Sequence, residues 1–136
     1  MDASLAELVR RRAAYRCEYC GLPDAVSSIA FEIDHIIARK HGGNTSADNL
    51  ALSCFYCNSQ KGPNIAGIDP DTGALSRLFH PRKDRWTDHF RWNGAFLCGT
   101  SSVGRTTIVV LGINAWDFVL LRAALISDEL FPADVD

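Results

Sequence analysis

Two short cysteine pairs constrain this chain more than anything else in it: Cys17-Glu18-Tyr19-Cys20 and Cys54-Phe55-Tyr56-Cys57. One CxxC turn presents two thiolates from a tight loop. Two such turns supply the four soft donors that tetrahedral Zn²⁺ prefers. A redox pair or buried reduced thiols account for a single pair, but not for two matched ones. Cys98 stands alone and reads as a small apolar residue. Structural zinc contributes about 10–16 kcal/mol, as much as the whole stability of a small domain. Four thiolates also close the site, so any chemistry lies elsewhere. The opening MDASLAELVRRR places its bases after its apolar residues, unlike a secretory leader, and no apolar run approaches about 18 residues. A cytoplasmic protein with no membrane partner is expected.

The second constraint lies between the pairs. Phe31-Glu32-Ile33-Asp34-His35-Ile36-Ile37 alternates in the manner of a half-buried strand, expected over residues 30–38. A loop rich in Gly, Asn and Ser leads to a second short strand at 50–53, and CNSQKG opens a helix closed by Gly62-Pro63. Near the N-terminus, Ser4 and Glu7 form a capping-box pattern, which predicts a helix over 4–15. If the strands pair and the helix crosses them, Asp34 and Asn58 converge while His35 projects to the other side. A carboxylate and an amide carbonyl suit Mg²⁺, Mn²⁺ or Ca²⁺ rather than a second closed zinc site. A neutral imidazole is a natural proton acceptor near pH 7. The Asn49 carbonyl can hold that imidazole, although Asp48-Asn49 is also good turn chemistry. Asn58 can equally cap the helix it opens.

The stretches CEYC, EIDHIIARKHGGN, DNLALSC and FYCNSQKG, within residues 15–62, resemble the HNH endonuclease family. The resemblance implies an α+β fold with a ββα-metal (His-Me finger) motif and a Cys₄ zinc site from Cys17, Cys20, Cys54 and Cys57. An N-terminal helix and a C-terminal α/β extension complete the expected fold. It further implies that Asp34 and Asn58 hold a catalytic divalent metal, Mg²⁺ or another such as Mn²⁺ or Ni²⁺. By the same resemblance His35 is the general base that activates water, and Asn49 orients it. The last ligand is often His in the family, and Asn58 puts a neutral oxygen there, which bears on the preferred metal. The implied reaction is hydrolysis of DNA phosphodiester bonds, leaving a 5′-phosphate and a 3′-hydroxyl.

Net charge, −2, argues mildly against a nucleic-acid partner, but its distribution matters more. Acidity concentrates in the C-terminal third, whereas Arg16, Arg39, Lys40 and Lys61 flank the expected site and are expected to contact phosphate. The weak charge favours a rival reading, a non-catalytic zinc-ribbon-like nucleic-acid-binding protein. A protein-interaction module built on the Trp-rich part is a second rival. The set Asp34, His35, Asn49 and Asn58 favours the nuclease, because a pure binder needs no general base. Residues 65–136 are expected to pack on the 1–64 core as an extension without separate chemistry. Within it, the tract 77–92 interleaves bases with Phe79, Trp86, Phe90 and Trp92, read as core with a basic rim. Thr106–Leu111 suits a strand, or a helix started by Ser101-Ser102, and Asn114 is expected to cap a last helix from Ala115 to about Leu130. DNA against RNA, and one chain against a homodimer, are left open at this level.

Overall fold

In a computed structural model, which describes residues 1–132, the first helix, α1, spans Ala3–Arg12. Asp2 caps it instead of Ser4: its carboxylate accepts from the Ser4 and Leu5 N–H groups at 2.7 and 3.3 Å. The helix stops short of residue 15 because Ala14 and Tyr15 turn into the left-handed region, with φ of 53° and 57°. Strand β1 (Glu32–His35) pairs antiparallel with β2 (Leu50–Ser53) in the register Ile33↔Leu52 and Asp34↔Ala51. β1 is shorter than the expected 30–38. The ladder continues only to the bond from Ile36 N–H to the Asn49 carbonyl, and Ile37 is then tied to the Asn49 side chain. Helix α2 (Phe55–Lys61) follows at once and ends at Gly62.

Every residue of β2 is buried. Period-2 alternation explains this: Leu50 and Leu52 join Val9 of α1 in one core, with Leu5, Phe31 and Ile33 packed around it. The opposite face carries only Ala51 and Ser53, small enough for α2 to lie close. That face is also the one on which Asp34 stands. Arg12 ties α1 to the hairpin by donating to the Ala47 and Leu50 carbonyls at 2.8 and 2.7 Å. Leu52→Ala is therefore expected to lower stability by about 2–5 kcal/mol, read as a fall in the urea midpoint with an unchanged slope.

The described residues form two compact units, Met1–Ile65 with His80–Lys83, and Ala66–Phe79 with the residues from Asp84 onward. The second contains two antiparallel hairpins, β3 (Ala66–Ile68) with β4 (Leu75–Arg77) and β5 (Phe90–Asn93) with β6 (Phe96–Gly99). Helices α3 (Ser102–Leu111) and α4 (Trp116–Ser127) complete it. The β-branched run at 106–111 is helical. The Ser101 hydroxyl caps α3 at Gly104 N–H, 3.0 Å, and Gly112 closes it in a left-handed conformation. Asn114 does not cap α4; its amide pairs instead with both backbone groups of Leu97, at 2.8 and 2.9 Å. Phe79 and Phe90 are buried and stack edge to face at 5.3 Å, with Trp86 5.1 Å from Phe90, while Arg85 and Arg91 are exposed. Asp69, buried at the β3–β4 turn, accepts from Arg105 and Ser102, which hold its carboxyl well below the usual range. Among the described residues, no single helix is long and apolar enough to cross a membrane.

Candidate active site and metal centre

The two cysteine turns meet. Cys17, Cys20, Cys54 and Cys57 are all buried, and their sulfurs lie within 4.8 Å of one another. A tetrahedron with metal–sulfur bonds of about 2.3 Å has an edge of about 3.8 Å; the Cys20 and Cys54 sulfurs are 3.8 Å apart. The backbone N–H groups of Cys20 and Cys57 point at the Cys17 and Cys54 sulfurs, at 3.5 and 3.3 Å. Such donors stabilise thiolate charge, so the donor set fits a tetrahedral metal such as zinc. Burial pushes the Cys17 thiol up, but hydrogen bonds from Cys20, Cys54 and Cys57 more than reverse this and hold it well below the usual range. The first turn is docked on β2: Glu18 N–H donates to the Leu52 carbonyl at 2.9 Å and its carboxylate accepts from Leu52 N–H at 2.8 Å. Arg82, from the segment 80–83, pairs with the same carboxylate.

Beside this frame, a cleft of about 300 Å³ is lined by Ile33, Asp34, His35, Ala38, Arg39, Asn58, Gly62 and Pro63. Asp34 and Asn58 thus converge from β1 and α2 on one site. His35, the last residue of β1, lines the same cleft. Asp34 is only 5% exposed. Its carboxylate accepts from the Tyr19 hydroxyl at 2.7 Å and from the Lys61 ammonium at 3.1 and 3.2 Å. Burial pushes the Asp34 carboxyl up, against the opposing pull of Lys61 and Tyr19.

Two expected roles change. Lys61 is not a phosphate contact: it is 1% exposed, and its ammonium is spent on Asp34 and on the His35 carbonyl, 3.2 Å away. Asn49 does not hold His35. Its carbonyl oxygen accepts from Ile37 N–H at 2.9 Å, while its amide donates to the Ile37 and Asn44 carbonyls at 3.0 and 2.8 Å. It latches the loop between the strands, the turn role that Asp48-Asn49 chemistry also suggested. The imidazole is met instead by Thr45, whose hydroxyl lies 2.8 Å from His35 Nε2, leaving Nδ1 without a partner among the described residues. Arg39 and Lys40 are exposed in the 3-10 turn Arg39–His41, Arg39 on the cleft wall. Arg16 is half-buried and donates to the Gly21 carbonyl at 3.3 Å, bracing the first cysteine turn.

Tyr19, Thr45 and the inward role of Lys61 escaped the sequence reading. Tyr19 carried a usable signal: a tyrosine inside a buried CxxC turn must give its hydroxyl a partner. Thr45 and Lys61 carried none, since each finds its partner only when the hairpin and α2 have packed.

Residues 17–64 match the family model described as HNH endonuclease. A Septu protein PtuB from Bacillus thuringiensis is 26% identical to this chain over 116 residues, 84% of this chain and 42% of that protein. The chain therefore spans less than half the length of that relative. No solved structure matches it. With its four-cysteine frame and its β1–β2–α2 unit, the segment 17–64 is a domain of the HNH endonuclease family, in a mixed α and β chain of the ββα-metal type.

Proposed function

We propose that this chain is a metal-dependent endonuclease hydrolysing DNA phosphodiester bonds, with His35 as general base. Asp34 and Asn58 hold the catalytic divalent ion, Mg²⁺, Mn²⁺ or Ni²⁺, and Cys17, Cys20, Cys54 and Cys57 hold structural Zn²⁺. One observation carries the reading: Asp34, His35 and Asn58 open on a single cleft with Arg39 on its wall. The donor pair fits a hard ion that keeps several waters, since one carboxylate and one amide fill few of its positions. When bound, such an ion neutralises charge on the phosphate and the departing 3′ oxygen. His35 Nδ1 takes the proton of the attacking water, with Thr45 fixing the ring through Nε2. Arg39 and Lys40 contact the phosphate backbone. Thiols that must stay reduced suit the cytoplasm.

The Lys61–Asp34 ion pair favours the rival reading, a zinc-ribbon-like nucleic-acid binder, because it already satisfies the carboxylate. Supercoiled plasmid incubated with the zinc-loaded chain separates the two. Nicking or linearisation that needs added Mg²⁺, Mn²⁺ or Ni²⁺ supports the nuclease. Salt-dependent retention of uncut plasmid with every metal supports the binder and overturns the nuclease. A labelled RNA in parallel decides between the two nucleic acids. Thr45→Val keeps the side-chain shape but removes the bond to His35, so kcat should fall about threefold to tenfold at unchanged KM. Thr45→Ser should restore it; a Thr45→Val chain with normal kcat sinks the positioning role.

A further inference from the structure

The cleft holds one anion and two neighbouring cations. Among its lining residues Asp34 is the only carboxylate, Asn58 is a neutral donor, and Arg39 is a cation. Lys61 then cancels Asp34 from within. Its ammonium is enclosed at 1% exposure and pinned by both Asp34 oxygens and the His35 carbonyl, so it has no route to solvent without opening α2. A divalent ion entering here adds two positive charges to a place with no net negative charge. Desolvating an ion is unfavourable unless opposite charge compensates it, and no second carboxylate is present to do so. The reaction itself brings the missing charge, as the phosphodiester anion.

We propose that the divalent ion and the substrate phosphate enter this cleft together, each strengthening the binding of the other. Lys61 creates the dependence by cancelling the charge of Asp34, which leaves the phosphate to compensate the incoming ion. The inference rests on Asp34 and Asn58 as the metal-holding pair. Linkage makes it reciprocal: whatever DNA adds to metal affinity, metal adds to DNA affinity. It also accounts for a buried lysine at a position where a second carboxylate would bind metal more tightly. The free protein is then idle, with little metal in the cleft and no activated water.

Mn²⁺ binding, followed by electron paramagnetic resonance, tests this on the full zinc-loaded chain carrying His35→Ala so that DNA stays uncut. A short duplex should raise Mn²⁺ affinity about tenfold or more, after subtraction of the Mn²⁺ held by the duplex alone. Adding Lys61→Gln should raise the DNA-free affinity by a similar factor, and shrink the duplex effect to under about threefold. A duplex without effect in the Lys61 chain overturns the proposal. So does a Lys61→Gln chain whose DNA-free affinity is unchanged. Asp34→Asn separates the levels: Mn²⁺ binding that survives it removes Asp34 as a ligand, and the coupling with it. Loss of binding in Asp34→Asn, without a duplex effect in the Lys61 chain, overturns the coupling alone. Should Lys61→Gln fail to fold, the Lys61 ammonium nitrogen resonance in the unaltered lysine chain replaces it. Mg²⁺ alone should leave that resonance in place and Mg²⁺ with duplex should shift it; a full shift with Mg²⁺ alone overturns the proposal.

Discussion

Cys57→Ser is expected to abolish cooperative folding of residues 1–65. Cys57 supplies one of the four sulfurs that can hold a metal such as zinc, and its N–H donates to the Cys54 sulfur at 3.3 Å. The unit it closes has a core of Val9, Leu50 and Leu52 with a few half-buried neighbours, joined to short strands of four residues each. Such a core supplies little on its own. Structural zinc contributes about 10–16 kcal/mol, against a total of about 5–15 kcal/mol for a typical domain, so losing one ligand removes most of the margin. The loss has a second component, because three buried thiols are left without their shared ion. The checks are metal content and denaturation together. The native chain should carry about one zinc and unfold in a single step, while Cys57→Ser should carry less than half as much and show no folded baseline for α1. A variant that binds no metal yet keeps the native midpoint would remove the tetrahedron from the account of this fold.

His35→Ala should leave the fold intact and remove cleavage. The imidazole is half-buried, and its hydrogen bond is to the exposed Thr45, so truncation should cost less than about 1 kcal/mol of stability. Its carbonyl, which accepts from Lys61, belongs to the backbone and stays in place. Asp34, Lys61, Tyr19 and Asn58 keep their arrangement. A positioned base contributes about 10²–10⁴-fold, and cleavage should fall by that factor while DNA binding at fixed salt holds. Cleavage within a factor of about three of the native rate would assign water activation to another group. A matched fall in DNA binding would instead make His35 a contact residue.

What the residues alone made legible divides along a physical line. The cysteine frame, β2 and the presence of α2 follow from local pattern: spacing, alternation, and a glycine stop after Lys61. Strand ends and side-chain partners do not. β1 stops at His35 because Asn49, fourteen residues on, takes over the bonds that a longer strand would make. Lys61 reads as a surface base until α2 packs on Ala51 and Ser53 and carries it beneath Asp34. The run 106–111 has strand composition, yet the Ser101 cap and burial of Thr106 and Thr107 make it a helix. Asn114 looked like a cap because asparagine usually serves locally, and its actual partner is Leu97 on another element.

The latch around Asn49 divides the loop into two kinds of position. Asn49 grips Ile37 and Asn44, and Gly43 lies so close to the Ile37 carbonyl and the Asn49 amide that any Cβ would strike them. Thr45 then hands the loop's position to the imidazole. These five residues form a chassis. Arg39, Lys40 and His41 ride on it with exposed side chains, their ties to the loop running through backbone bonds such as Gly42 N–H to the Arg39 carbonyl. On the proposed reading, the residues that brace the cleft and the exposed ones that meet nucleic acid are therefore largely different. On that reading, substitutions at 40 and 41 should retune what is grasped while the cleft keeps its geometry, which makes this turn the ground for directed change of specificity.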